Sequence, residues 1–138
     1  MGLIVIDTGV LIGVLDGSDI HHVPATEALR LAEENLDQLV LPASALAEIL
    51  VGPSRRGPEA VAAVDGLLAT LAIDLVAIDQ AIARQSAALR AKTRLRLPDA
   101  FIVASAIVLR ADRLLSTDGR WPPAVRDLFR GTIEIVGQ

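Results

Sequence analysis

The sequence predicts an α/β fold of three layers, α/β/α, around a central and mainly parallel sheet. Short contiguous apolar runs at residues 3–6, 39–41 and 75–78 are too short for helices and read as strands buried on both faces. Between them lie helix-length stretches whose apolar residues recur at helical spacing. Strands alternate with helices from end to end, without a repeat, a low-complexity segment or a linker, so residues 1–138 form a single domain.

Composition narrows the possibilities. The chain has 17 acidic against 13 basic residues and a net charge of −4, which gives no support to a basic nucleic-acid binder but suits a cluster of metal-binding carboxylates. There is no Cys, hence no disulfide framework and no thiolate metal site, and a reducing cytoplasm fits. Asp7 interrupts the amino-terminal apolar run and no basic segment precedes it, which argues against a signal peptide. The apolar runs are too short to span a bilayer. An apolar fraction of 52% with a mean hydropathy of +0.50 is high for a small domain and suggests that some surface lies against another chain.

Residues 3–6 make the first strand, and 9–15 read as a short apolar helix. Asp7 between them is either the cap of that helix or a carboxylate at the carboxyl end of a parallel strand, where open α/β sheets bind ligands. Residues 16–19 form a loop; from Pro24 the spacing of Ala25, Ala28, Leu29, Ala32 and Leu36 predicts a surface helix, with His21 and His22 as loop or helix-start residues. After the strand at 39–41, Pro42 opens a helix over 43–51 that Gly52-Pro53 ends, leaving 54–57 as a basic loop. Glu48 is the only charge on that helix, whose apolar composition leaves little solvent face and turns Glu48 toward a cleft. Pro58 begins the next helix. The strand at 75–78 follows, and Asp79 caps a helix over 80–91.

The stretch from Leu95 to Leu109 is the most informative. From Phe101 to Leu109 only Ser105 is polar, so a helix here is buried almost all round. Pro98 suits its first position, which sets Asp99 in a first turn whose free N–H groups favour an anion. Residues 113–116 then form a strand that delivers Asp118 at its carboxyl end. Trp121-Pro122-Pro123 breaks the chain, a last helix covers 124–129, and 132–136 closes as a strand.

Asp7 and Asp118 thus end strands, Asp99 opens a buried helix and Glu48 follows a strand. In a right-handed parallel sheet these places share one edge. Four acids converging there with no Lys or His among them repel one another, so at least one pKa is raised and a cation is needed. All-oxygen ligands suit Mg²⁺ or Mn²⁺ and not Zn²⁺. Carboxylates holding one or two such ions are a recurring design for phosphodiester hydrolysis.

The motifs resemble those of PIN-domain nucleases, in particular the small bacterial VapC-like toxins of toxin–antitoxin pairs, over the whole chain. Ile6-Asp7-Thr8-Gly9-Val10-Leu11-Ile12 looks like the first acidic motif and Ala45-Leu46-Ala47-Glu48-Ile49-Leu50 like the Glu helix. Leu95-Arg96-Leu97-Pro98-Asp99-Ala100 is similar to the third motif, and Ser116-Thr117-Asp118-Gly119-Arg120-Trp121 to the fourth. The resemblance implies Asp7, Glu48, Asp99 and Asp118 as metal-binding catalytic acids with Ser116 in support. It further implies a magnesium-dependent endoribonuclease, a homodimer and a neutralising antitoxin. Gly9 stands where many members carry a small polar residue, and Trp121 where Phe is usual. Arg55, Arg56, Arg94 and Arg96 are candidate contacts to RNA phosphates. A receiver-like Mg²⁺-binding signalling module would need a second acid near Asp7 and a Lys at the last strand. A phosphatase with an Asp-x-Asp strand end would need an acid at position 9. A PIN fold that only binds a partner is opposed by four intact acids.

Overall fold

The amino-terminal apolar run forms β1 (Leu3–Ile6), whose Ile4, Val5 and Ile6 are fully buried because the strand is central and covered on both faces. In the computed structural model, which describes residues 1–138, the order continues α1 (Thr8–Leu15), α2 (His22–Glu34), β2 (Gln38–Pro42), α3 (Ala43–Arg56), α4 (Pro58–Thr70) and β3 (Ile73–Val76). It ends α5 (Gln80–Lys92), α6 (Leu97–Val108), β4 (Arg113–Ser116), α7 (Ala124–Leu128) and β5 (Thr132–Ile135). The sheet order is β3-β2-β1-β4-β5 and every neighbouring pair is parallel. Parallel neighbours need crossovers, which the helices provide by packing α1 on α2, α3 on α4 and α5 on α6. No helix is long and apolar enough to cross a membrane.

The winding places the site. From β1 the chain builds outward to β2 and β3, then returns through α5 and α6 to the other flank of β1, where it adds β4 and β5. The direction reverses between β1 and β4, and such a switch point opens a crevice at the carboxyl ends of the two strands. Register brings their ends level: Ile6 pairs with Leu115, and the Asp7 N–H donates to the Leu115 carbonyl at 2.9 Å. Asp7 and Ser116 therefore leave the sheet side by side. α6 crosses behind this point with Ala100 and the run Ile102 to Ala106 buried, as its composition requires.

The structure corrects three boundaries. α3 does not stop at Gly52-Pro53 but continues to Arg56, with Pro53 buried in its last turns. Packing of Ile49 and Pro53 on the core outweighs the one hydrogen bond that proline forfeits. The helix stops instead at Gly57, whose φ of 124° no other residue adopts easily. Arg55 and Arg56 thus belong to a helical last turn, where cations complement the dipole, and not to a loop. β3 lies two residues before the apolar run that suggested it: on this edge strand Asp74 is exposed and takes a hydrogen bond from Gln38, so a polar residue sits comfortably within it. Finally, α2 begins at His22, whose Nδ1 lies 2.8 Å from the Gly13 carbonyl.

Candidate functional site

Asp7 is the deepest acid. Extended at φ −79° and ψ 157°, it caps α1: Oδ1 accepts from Thr8 N at 2.7 Å, and Oδ2 accepts from Ser116 Oγ at 2.8 Å. It is only 7% exposed, and no cation pairs with it. Burial pushes its pKa from 3.8 to about 6, against the lowering effect of the Ser116 and Thr8 bonds; the charges of Asp99 and Glu48 add smaller upward contributions. Capping and proximity to other acids, alternatives in the sequence, are both true of this one side chain. The sequence anticipates a raised pKa from mutual repulsion. In the structure desolvation is the larger cause.

Ser116, fully buried at the end of β4, ties two acids together: its Oγ donates to Asp7 and accepts the Asp118 N–H at 3.0 Å. Asp118 Oδ1 in turn accepts from Arg120 N at 2.9 Å and lies 3.4 Å from the exposed Arg120 guanidinium. Asp99 stands in the first turn of α6 with its side chain 16% exposed, 3.5 Å from Arg96 Nε, itself 78% exposed. Burial again raises its pKa first, the Arg96 charge opposes, and the Asp118 charge raises it further.

Glu48 is exposed, because α3 presents more of a solvent-facing side than its apolar composition suggests. It nevertheless faces the site: Thr8 Oγ1 donates to it at 3.3 Å, and it lines an open cleft of about 510 Å³ with Ile12, Leu15, Asp16 and Arg56. As the side chains stand, no three acids fall within the shell of a single ion. The donor set fits one. Asp7 feels the charges of Asp99 and Glu48 and Asp99 that of Asp118, the pKa values of Asp7 and Asp99 are raised by burial, and the nearby guanidinium groups are solvated. Hard divalent ions take such oxygens.

Of the four proposed Arg contacts, the structure brings two to the site: Arg96 beside Asp99, and Arg56 in the cleft with Glu48. Arg55 and Arg94 are exposed, and neither lines that cleft. Sequence reasoning did not single out Thr8, Arg120 or Thr117. Thr117 was detectable indirectly, since Gly9 is a glycine at a helix start: a Cβ there would overlap Thr117 Oγ1, so the glycine lets β4 and α1 close on each other.

The sequence model of the PIN domain matches residues 4–125. No curated protein matches the chain in sequence. Among solved structures, a toxin–antitoxin complex from Klebsiella pneumoniae is 25% identical with a TM-score of 0.74, covering 94% of this chain and 95% of that one. VapBC2 from Rickettsia felis, bound to a DNA fragment from its promoter, is 14% identical with a TM-score of 0.74 over 96% and 97%. VapC20 of Mycobacterium tuberculosis, a toxin that cleaves the sarcin-ricin loop, is 17% identical with a TM-score of 0.68 over 85% and 91%. The last two likenesses concern the fold.

Proposed function

The chain belongs to the PIN-domain family, and on that premise we propose that it is a Mg²⁺- or Mn²⁺-dependent endoribonuclease acting as the toxin of a toxin–antitoxin pair. The observation that carries the reading is Asp7: a carboxylate buried at the switch point of the sheet, fixed by Ser116, with no cation beside it and other acids close enough to raise its pKa. Asp7, Glu48, Asp99 and Asp118 would hold the ion or ions. When bound, such an ion supplies a Lewis acid for a phosphoryl oxygen and a water of lowered pKa as nucleophile.

The chain's own groups do the rest. Ser116 and Thr8 lock Asp7 in place, and Thr8 ties Glu48 to the same helix start. Arg96 and Arg120 stand in solvent on the rim, able to draw a phosphodiester backbone toward the acids, and Arg56 continues that charge along the cleft. Arg55 and Arg94 are retained as outer phosphate contacts. Because Asp7 holds a proton up to about pH 6, ion binding must release it, and affinity falls as the medium is acidified.

An antitoxin partner is supported by the 25% identical relative, whose structure is a toxin–antitoxin complex. A homodimer is supported by exposed aliphatic side chains, Ile20 at 86% and Val23 at 75% among them. Work on RNA in this scheme is done in the cytoplasm.

Incubation of end-labelled structured RNA with the protein and Mg²⁺ or Mn²⁺ tests the reading. Internal cleavage is expected, lost in EDTA and in folded Asp7→Asn and Asp99→Asn. A folded Asp99→Asn that cuts at the wild-type rate overturns it.

A further inference from the structure

β5 pairs with β4 up to Ile135 opposite Ser116, so it rises to the same sheet edge as the acids. Ile133 and Ile135 stand two residues apart and share one face of the strand. The helix bordering that face, α7, has only five residues and is about 7–8 Å long, against about 13 Å for the four-residue strand. The cover falls short. A cavity of about 200 Å³ is left, lined by Ile133 and Ile135, by Arg126 of α7, by Trp121 and Pro122, and by Asp118 of the acid cluster. Sites for drug-sized molecules hold about 300–1,000 Å³, so this one takes a single ring system. Apart from Asp118 and Arg126 its side chains are apolar. The Trp121 Nε1 is shut off from solvent, so the indole meets the cavity with carbon. Apolar walls beside a carboxylate refuse an anion and suit a flat neutral heterocycle. Arg126 is exposed and reaches the Ile133 carbonyl only at 3.5 Å, the outer limit of a hydrogen bond, which leaves its donors largely free.

We propose that this cavity receives the base next to the scissile phosphate, and that Arg126 selects guanine there. This rests on the reading of the chain as a ribonuclease. Asp118 belongs both to the acids and to the cavity wall, so a strand whose phosphate lies on the acids brings a neighbouring base to the cavity. Trp121 and Pro122 offer the base surfaces to lie against, and such stacking accepts any base. Selection falls to Arg126. Its planar fork matches two adjacent acceptors, which guanine presents as O6 and N7 on one edge. Adenine sets a donor beside its acceptor, and the pyrimidines lack the pair.

Trp121 is the chain's only tryptophan and there is no tyrosine, so indole emission reports on the wall of this cavity. The test follows that emission in Asp7→Asn, titrated in Mg²⁺ with two short oligoribonucleotides, one all uridine and one with a single central guanosine. The guanosine strand should shift the emission saturably and bind about tenfold more tightly than the uridine strand. Adding Arg126→Ala, a change at an exposed side chain, should remove the difference. In parallel, cuts made by wild type in a random-sequence RNA pool should fall beside guanosine, and those made by Arg126→Ala should spread over all four bases. Equal affinity for the two strands, or wild-type cuts without base preference, overturns the base site while leaving the nuclease reading intact. A guanosine preference that survives Arg126→Ala overturns the role given to that arginine. If wild type cuts no RNA in Mg²⁺ or Mn²⁺, the nuclease reading itself fails and the base site falls with it. Should Asp7→Asn bind neither strand, the mapped cuts decide alone.

Discussion

Asp7 caps a helix, accepts from Ser116 and carries the cost of its burial as a pKa of about 6. That value lies above the unfolded one of 3.8, so the stability it contributes is fully present below about pH 4 and is lost as pH rises through about 6. The difference at neutral pH is roughly 3 kcal/mol. Asparagine can still cap and still bond Ser116. Melts of the ion-free protein across pH 4–8 should therefore show Asp7→Asn more stable than wild type at pH 7.5, with the advantage vanishing near pH 4. Equal curves at every pH would contradict the assignment. Ser116→Ala should act the other way: with the Asp7 and Asp118 bonds gone, it should cost about 1–3 kcal/mol at pH 8. It should also move the pH dependence to more alkaline values. At this scale the sequence was legible as to where Asp7, Asp99 and Asp118 stand, because strand ends and helix starts mark them. It was not legible as to why the pKa rises, since desolvation depends on how completely α1 and β4 close over Asp7.

The elements meeting at the site are α1, α3, α6 and β4, and three of them place their acid by a local rule visible in the sequence: a cap for Asp7, a first turn for Asp99 and a strand end just before Asp118, while Glu48 lies within α3. The closing of β4 on α1 depends on Gly9, and a double-mutant cycle can measure it. Gly9→Ala gains helix propensity of up to about 1 kcal/mol but must displace the Thr117 hydroxyl. With Thr117→Ala the nearest remaining atom is the residue 117 Cβ at 3.4 Å, an ordinary contact. Gly9→Ala should thus destabilise wild type yet be neutral or stabilising in the Thr117→Ala background. The coupling should be about 1 kcal/mol, read from urea melts, whereas additive effects would mean that the contact does not constrain Gly9. The extent of α3 was the clearest failure of local reading. Gly52-Pro53 is a helix stop by composition, but the burial of Pro53 on the core is a tertiary fact.

Across the whole molecule the two sheet edges differ in how charge is handled. At the amino edge Arg113 bridges Asp37 at 2.7 Å and Glu134 at 3.2 Å, and Asp112 accepts the Leu3 N–H at 2.7 Å. At the carboxyl edge the deepest acid has no cation at all. Strand–helix alternation made the parallel sheet legible, but no local pattern encodes the order β3-β2-β1-β4-β5 that creates the crevice. Mg²⁺ acting only on the folded cluster should stabilise by about 2.7 kcal/mol at a hundredfold excess over its dissociation constant, seen as a rise in melting temperature near pH 7.5. Replacing Arg96 or Arg56 should weaken RNA binding and reduce its log–log salt slope by about one, while an unchanged slope would return that arginine to ordinary solvated surface. The central claim, that these carboxylates form one ion site, is tested most directly by anomalous diffraction at the manganese edge from crystals grown with Mn²⁺. The account predicts an anomalous peak among Asp7, Asp99 and Asp118 that is absent from Asp7→Asn crystals. A wild-type map with no peak among these acids at saturating Mn²⁺ would contradict it.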